Sequence, residues 1–183
     1  MKKRIKVWHL EITDANRIPT EATIVERPYD LKKINHNLPE LNRFLYIAVG
    51  ANWCWYMRLD WSHEQWQALL AKPDVVTWVA YLEATPIGYF ELAKASGGEV
   101  EIAYFGLLGE FIGQGYGKCL LEDAIRTAWK IGGKRVWLHT CSLDHPQALT
   151  NYLARGFSVF KEEEFEDAIP DEKIQPWPGA RKY

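Results

Sequence analysis

The sequence has no excess of charge of either sign. It contains 22 basic and 24 acidic residues, which gives a formal net charge of −2. A chain so evenly balanced lacks the broad basic surface by which proteins hold nucleic acid. We therefore expect no nucleic-acid partner, and the charge gives no special support to polycationic substrates.

Cysteine is scarce, and its spacing suits neither a disulfide framework nor a metal site. Cys54, Cys119 and Cys141 are odd in number, lie in apolar contexts and include no Cys-x-x-Cys pair. The five histidines form no cluster in the sequence. This usage predicts reduced, buried thiols, a cytoplasmic location and no structural metal.

Long apolar runs are also missing. The most apolar stretch, residues 44–57, contains Asn52 and is shorter than the roughly 20 residues that a membrane-spanning helix needs. The basic start of the chain is followed by Lys6, His9 and Glu11, which interrupt any apolar signal segment. We expect neither a membrane partner nor export.

Hydrophobic periodicity predicts a first half made mostly of antiparallel strands. Apolar, β-rich runs predict strands at residues 7–12, 23–26, 75–82, 87–93 and 99–108. Helical spacing predicts helices at 38–49 and 62–71. The second helix has Ser62 as its N-cap and Gln65 in the capping-box position.

In the second half, helices and strands alternate. The pattern predicts a helix at 118–130, a strand at 135–141, a helix at 146–155 and a strand at 157–160. This order predicts an α/β (α+β) fold with a mixed, mostly antiparallel sheet and helices on both faces. We expect a single domain over residues 1–160 and a loosely packed, acidic, Pro-containing tail over 161–183.

Three glycines separate the strand at 99–108 from the helix at 118–130. Gly113, Gly115 and Gly117 remove the Cβ atoms that would keep a ligand from the backbone, and the helix directs its free N–H groups at the same place. Together they predict an anion site, most often for phosphate. The loop is too short for a P-loop, and its G-x-G-x-G spacing departs from the dinucleotide fingerprint G-x-G-x-x-G.

Two elements of the sequence carry a resemblance to a known family. Residues 112–117 read Ile-Gly-Gln-Gly-Tyr-Gly, and residues 152–157, preceded by Ala148, read Tyr-Leu-Ala-Arg-Gly-Phe. They resemble the Gln/Arg-x-x-Gly-x-Gly/Ala loop and the Tyr-x-x-x-Gly-Phe element of the GNAT superfamily of acyl-CoA-dependent N-acetyltransferases. The resemblance covers residues 77–160, the expected acyl-CoA-binding core, whereas residues 1–70 match loosely and would form the acceptor side.

The resemblance implies an enzyme that uses acetyl-CoA as co-substrate. It would move the acetyl group to a primary amine of a small molecule or peptide by direct attack in a ternary complex. The cofactor's pyrophosphate would lie on the loop, at Ile112, Gly113, Gln114, Gly115, Tyr116, Gly117 and Lys118. Ile112 stands where the family usually has Gln or Arg, so one side-chain contribution is missing there.

The pantetheine arm of the cofactor would run beside a strand. The resemblance places it along Phe105, Gly106 and Leu107, where a glycine fits a close approach of backbones. If this strand splays from its neighbour at 137–141, the N–H of Leu107 would be free to donate to the thioester carbonyl. His145 would hydrogen-bond the same arm or cap the following helix.

For catalysis, the resemblance makes Tyr152 the general acid that protonates the leaving thiolate. Strand alternation places Glu99, Glu101, Ala103 and Phe105 on one face, and Glu101 is the better candidate for the base, directly or through a water. His139, on the adjacent strand, is the reserve base. Cys119 and Cys141 are expected to be core thiols without a covalent role.

The acceptor is the least defined part of the prediction. Trp53, Trp55 and Tyr56 suggest a pocket with aromatic walls and a hydrophobic or aromatic amine. A competing hypothesis is a non-catalytic acyl-CoA-binding sensor or scaffold, which Ile112 favours. The sequence leaves the oligomeric state open, a homodimer included.

Overall fold

The computed structural model describes residues 2–20 and 27–170, so the strand expected at 23–26 and the end of the expected tail lie outside the described residues. Its centre is a seven-stranded sheet in the order β2-β3-β4-β5-β6-β1-β7. The strands are β1 Lys2–Ile12, β2 Asp30–Lys33, β3 Val75–Leu82, β4 Thr85–Lys94, β5 Glu99–Leu107, β6 Arg135–Cys141 and β7 Ser158–Ala168.

Local sequence signals mark the start of α2 and the end of α3. They are α1 Pro39–Gly50, α2 His63–Leu70, α3 Tyr116–Gly132 and α4 Ala148–Leu153. Ser62 forms the expected capping box with Gln65 before α2. Gly133 ends α3 in the left-handed conformation, at φ 84°, which glycine adopts without a steric penalty.

Helices cover both faces of the sheet, which confirms the predicted fold class. On one face, α3 buries Leu120, Leu121, Ala124, Ile125 and Ala128 in the main core. On the other face, Leu45 and Val49 of α1 pack against Val79 and Tyr89. No helix in the described part of the chain is long and apolar enough to cross a membrane.

One pair of neighbouring strands, β5 and β6, runs parallel, and its pairing stops early. The pairing extends only from Glu99 opposite Arg135 to Glu101 opposite Trp137. The other neighbouring strands pair antiparallel. Beyond Glu101 the two strands separate, and a cavity lies in the opening between them.

The last strand is much longer than the sequence indicates. β7 pairs with β1 from Ser158 opposite Glu11 to Ala168 opposite Lys2. The expectation of loose packing from residue 161 is therefore wrong as far as residue 168. Its run of acidic residues is held by cations of β1, with Lys6 2.7 Å from Glu162 and Arg4 3.3 Å from Glu164.

Candidate functional site

A cavity of about 980 Å³ opens where β5 and β6 separate. Its first end, here called the loop end, is lined by the glycine loop, Phe105, Gly106 and Leu107 of β5, and residues of α4. Its second end, here called the strand end, is lined by residues of β1, β6 and β7 and by the segment 53–57. The volume lies within the range of small-molecule and cofactor sites.

The glycine loop presents open backbone to the cavity. Gly113 and Gly115 have φ angles of 83° and 88°, and a Cβ added to either would meet no atom within 4 Å. Gly115 is the N-cap of α3, whose 17 residues direct free N–H groups and the positive dipole end at this place. Ile112, Gly117 and Lys118 also line the cavity. The loop end therefore suits a polyanion such as the pyrophosphate of coenzyme A.

Two of the predicted loop residues have side chains bound elsewhere. The Gln114 side-chain amide donates to the Glu110 carbonyl oxygen at 2.7 Å. The Tyr116 ring packs edge-on against Phe111, with ring centroids 6.3 Å apart. Neither residue is among the described residues that line the cavity. The structure thus does not bring these two side chains to the expected cofactor site.

A β-bulge in β5 overturns the predicted faces of this strand. Tyr104 lies opposite Glu91 but Ile102 lies opposite Leu92, which leaves Ala103 as an extra residue. Phe105 consequently packs with Ile102 in the main core, and the expectation that it shares a face with Glu101 is wrong. Strict alternation failed because a bulge exchanges the two faces of a strand.

Gly106 has a packing reason that the sequence did not reveal. A Cβ at this position would lie 2.5 Å from Cγ1 of Val49 in α1. The glycine therefore lets α1 pack directly on β5, while its backbone still lines the cavity. Phe105 and Leu107 line it as predicted.

Tyr152 lies at the cavity wall in a buried position. It belongs to α4, and its ring packs edge-on against Phe105 and Phe157 at centroid distances of 6.2 and 6.0 Å. Burial, with a smaller contribution from the charge of Asp144, raises the pKa of the Tyr152 phenol well above its ordinary value. The phenol is thus protonated at any physiological pH and available as a donor.

His139 lines the cavity, and Glu101 contacts this histidine. The Nδ1 of His139 is 3.5 Å from Oε1 of Glu101, and Glu101 is not among the described lining residues. The interaction with Glu101 raises the pKa of the His139 imidazole, and burial opposes it. Of the two candidate bases, His139 is the one among the described lining residues.

A second histidine, which the sequence analysis missed, lines the same wall. His9 of β1 lies opposite His139 in the strand register, and the ring centroids are 6.0 Å apart. Its Nε2 is 2.8 Å from Oε1 of Glu163 in β7. The alternation of residues 7–12 could have placed His9 on one face with Val7, but nothing local indicates which strand lies beside it.

The predicted aromatic residues all line the cavity, with different surroundings. Trp55 is also structural, since a Cβ on Gly50 would lie 2.4 Å from its indole. The Tyr56 hydroxyl donates to Asp167 at 2.6 Å, and burial together with Asp167 raises the pKa of Tyr56 to about 12. Trp53 packs edge-on against His145, with centroids 5.0 Å apart.

His145 lines the cavity, and its side chain also binds the backbone just before α4. Its Nδ1 accepts a hydrogen bond from the backbone N–H of Gln147 at 3.1 Å. The N-cap residue of α4 is Gln147, and no side chain caps this helix, so the structure does not show the capping function that the sequence offered for His145.

Cys141 is a poor nucleophile because of its environment. Cys141 lines the cavity, and burial, followed by the charge of Asp144, raises the pKa of its thiol to about 11. A thiol with such a pKa is protonated at neutral pH. Among the described residues, no three His, Cys, Asp or Glu side chains are placed to hold a metal ion.

Comparison with known proteins places this site in a family. The family model described as "Acetyltransferase (GNAT) family" matches residues 38–157. This match begins well before residue 77, where the sequence resemblance begins. No curated protein matches the chain in sequence.

Solved structures with the same fold include several acetyltransferases. A GCN5-related N-acetyltransferase from Sphaerobacter thermophilus has a TM-score of 0.61 and 18% identity over 93% of this chain. A GCN5-related N-acetyltransferase from Kribbella flavida has a TM-score of 0.60 and 15% identity over 88% of this chain. The chain spans 55% and 58% of their lengths, respectively.

A shorter relative in structure is matched over most of its own length. It is an aminoglycoside acetyltransferase from an uncultured soil metagenomic sample, solved in complex with sisomicin. Its TM-score is 0.56 at 17% identity, and the alignment covers 70% of this chain and 86% of that one. At these identities the likeness concerns the fold.

Proposed function

Because this chain belongs to the GNAT family of acetyltransferases, we propose that it transfers the acetyl group of acetyl-CoA to a primary amine by direct attack in a ternary complex. One observation carries the proposal: the glycine loop, Tyr152 and His139 all line a single cavity in the opening between β5 and β6. An anion site, a proton donor and a proton acceptor thus face one space.

The loop end holds the anionic part of the donor. Open backbone at Gly113 and Gly115 and the start of α3 supply N–H donors, and Lys118 adds a cation. Ile112 contributes no charge, so the backbone and the helix supply more of the binding than in relatives with Gln or Arg there. Acetyl-CoA supplies the acetyl group as a thioester.

His139 is the proposed base, and Glu101 is the residue that positions it. The neutral imidazole takes the proton that the acceptor nitrogen loses as its bond to the acetyl carbon forms. Glu101 contacts Nδ1, which leaves Nε2 as the nitrogen for proton transfer. A neutral base requires a pH above the raised pKa of His139.

Tyr152 is the proposed acid. As the bond from the acetyl carbon to sulfur breaks, the phenol donates its proton to the departing thiolate. Its position beside Phe105 supports this assignment, because Phe105 belongs to the stretch of β5 expected to run beside the pantetheine arm. The raised pKa of Cys141 favours direct transfer over an acetyl-cysteine intermediate.

Two measurements test the proposal in order. Calorimetric titration with acetyl-CoA, against ATP and NAD as controls, should show binding of acetyl-CoA alone. Release of free thiol from acetyl-CoA in the presence of a panel of amines should then show turnover that His139→Ala reduces by about 10²-fold or more. His63→Ala, an exposed histidine on α2, is the matched control.

Binding without thiol release for any amine would favour the second candidate function, an acyl-CoA sensor. The apolar Ile112 at the loop end is the observation that favours it. Failure of acetyl-CoA to bind would remove both functions.

A further inference from the structure

We propose that the strand end of the cavity binds a monoamine with an apolar, preferably aromatic, body and without a carboxylate, such as an arylalkylamine. This inference rests on the proposed function and names the class of its acceptor. It draws on residues of β1 and β7 that lie outside the glycine-loop and Tyr-x-x-x-Gly-Phe elements.

The floor of the strand end is apolar. Ile5 and Val7 of β1 line it and are buried at 3% and 8% exposure. Together with Ile169 they form a separate hydrophobic cluster, against which Cys141, Leu143 and Tyr56 pack. A ligand body seated on this floor would be in contact with methyl, thiol and ring groups, which favours a hydrocarbon or aromatic body over a polyhydroxylated one.

Two large apolar side chains of the same lining are exposed. Phe165 of β7 is 44% exposed and Met57 is 59% exposed, and both line the cavity. Phe165 lies opposite Ile5 in the strand register, so it continues the apolar floor toward solvent. An apolar amine that covers these side chains gains a favourable free energy of binding, which a small polar amine lacks.

Carboxylates surround this apolar end. Asp144 and Glu163 line the cavity, and Glu101 and Asp167 each contact a residue that does. Hydrogen bonds to Lys161 and His9 lower the pKa of Glu163, so it is ionised at neutral pH. Asp144 accepts hydrogen bonds from the Thr140 hydroxyl and the Cys141 N–H, which fix the position of its carboxylate.

The lining residues that carry a permanent positive charge do not lie at the strand end. Among the described lining residues these are Lys118 of α3 and Arg155, which follows α4, and both belong to the loop end. At the strand end His9 and His139 are each already in contact with a carboxylate, and Lys161 is 2.6 Å from Glu163. The charge of the cavity thus changes sign along its length.

This charge distribution favours amine acceptors without a carboxylate, because it repels those that carry one. An ammonium group approaching His139 is attracted by the carboxylates around it, whereas a carboxylate on the acceptor would be repelled by them without a free permanent cation to pair with. A second ammonium seated on the Ile5–Val7 floor would find no hydrogen-bond partner among those apolar side chains. Amino acids and polyamines are therefore disfavoured for different reasons.

A matched set of amines tests the class. 2-Phenylethylamine and phenylalanine differ by one carboxylate, and spermidine adds ammonium groups. With saturating acetyl-CoA, we expect kcat/KM for 2-phenylethylamine to exceed that for phenylalanine by about 100-fold or more, because apposed like charges cost several kcal/mol. Spermidine should also be the poorer substrate. A preference for phenylalanine or spermidine would overturn the inference while leaving acetyl transfer intact.

A binding measurement keeps the inference testable without turnover. Calorimetric titration of 2-phenylethylamine into the protein saturated with coenzyme A should show binding, and phenylalanine should show none. If no amine releases thiol but this difference is found, the acceptor class stands and the proposed catalysis fails. If 2-phenylethylamine does not bind, the acceptor class is wrong.

A substitution in β7 tests where the body of the amine binds. Phe165→Ala should raise KM for 2-phenylethylamine by about tenfold, the loss expected for removing one large apolar contact, and leave the affinity for acetyl-CoA unchanged. Val159→Ala is the control, because Val159 is exposed on the same strand and is not among the described lining residues. An equal KM in wild type and Phe165→Ala would place the amine body elsewhere.

Discussion

Oε1 of Glu101 lies 3.5 Å from Nδ1 of His139, which lines the cavity, and we expect the carboxylate to act on the site through this imidazole. The contact raises the pKa of His139. In Glu101→Gln this pKa should therefore fall. Because the neutral imidazole is the proposed base, the rising limb of kcat against pH should move to lower pH. A pH profile of thiol release measures this shift of the rising limb.

Glu99→Gln is the control for that profile. Glu99 lies on the same strand and pairs with Arg135 at 3.1 Å, away from His139. Its removal should leave the midpoint of the rising limb in place. An identical midpoint in Glu101→Gln and wild type would mean that His139 is not the group that titrates.

Tyr152→Phe should lower turnover by about 10²-fold or more while keeping the affinity for acetyl-CoA, since only the proton donor is removed. The ring contacts with Phe105 and Phe157 remain in this variant, so the melting temperature should change little. Tyr116→Phe is matched in chemistry but lies outside the described lining. Equal turnover in all three proteins would remove Tyr152 as the acid.

Gly115→Glu should abolish acetyl-CoA binding in calorimetry, because it sets a carboxylate where the phosphates bind. Gly97→Glu is an unusually close control. Both glycines have positive φ, 88° and 91°, and neither has an atom within 4 Å of its added Cβ. Both variants should lose a similar stability, about 1–2 kcal/mol, but Gly97→Glu should bind acetyl-CoA normally. Loss of binding in both would point to unfolding.

Gly106→Ala should destabilise the protein by about 1–3 kcal/mol through its clash with Val49, as seen for overpacked cores. Val49→Ala removes the clashing methyl group and should restore part of this loss, so the double variant should be more stable than the sum of the single ones. Urea unfolding of the four proteins measures the coupling. Strict additivity would show that the close contact carries no energy.

Elements with short-range causes could be predicted from the sequence. The capping box at Ser62, the end of α3 at Gly133 and the open loop with Gly113 and Gly115 each depend on residues close in the chain. The hairpin of β3 and β4 is of the same kind. The separation of β5 and β6, which creates the cavity, entered the sequence analysis only as a condition for a free N–H on Leu107.

Three features depended on the pairing of strands, two of them with partners far away in the chain. The bulge at Ala103 arises in the pairing of β5 with β4 and places Glu101 and Phe105 on opposite faces of the strand. β7 extends because β1 lies beside it from Lys2 to Glu11. His9 and His139 meet only through the register of β1 and β6.

The sequence by itself therefore determined the kinds of element, the glycine loop and the family of the protein, because caps, periodicity and backbone conformation are properties of neighbouring residues. Only the tertiary structure decided that His139 rather than Glu101 lines the cavity, and that β1 and β7 form its far end with Ile5, Glu163 and Phe165. Strand register is selected by the packing of both faces at once, over separations that no local pattern records.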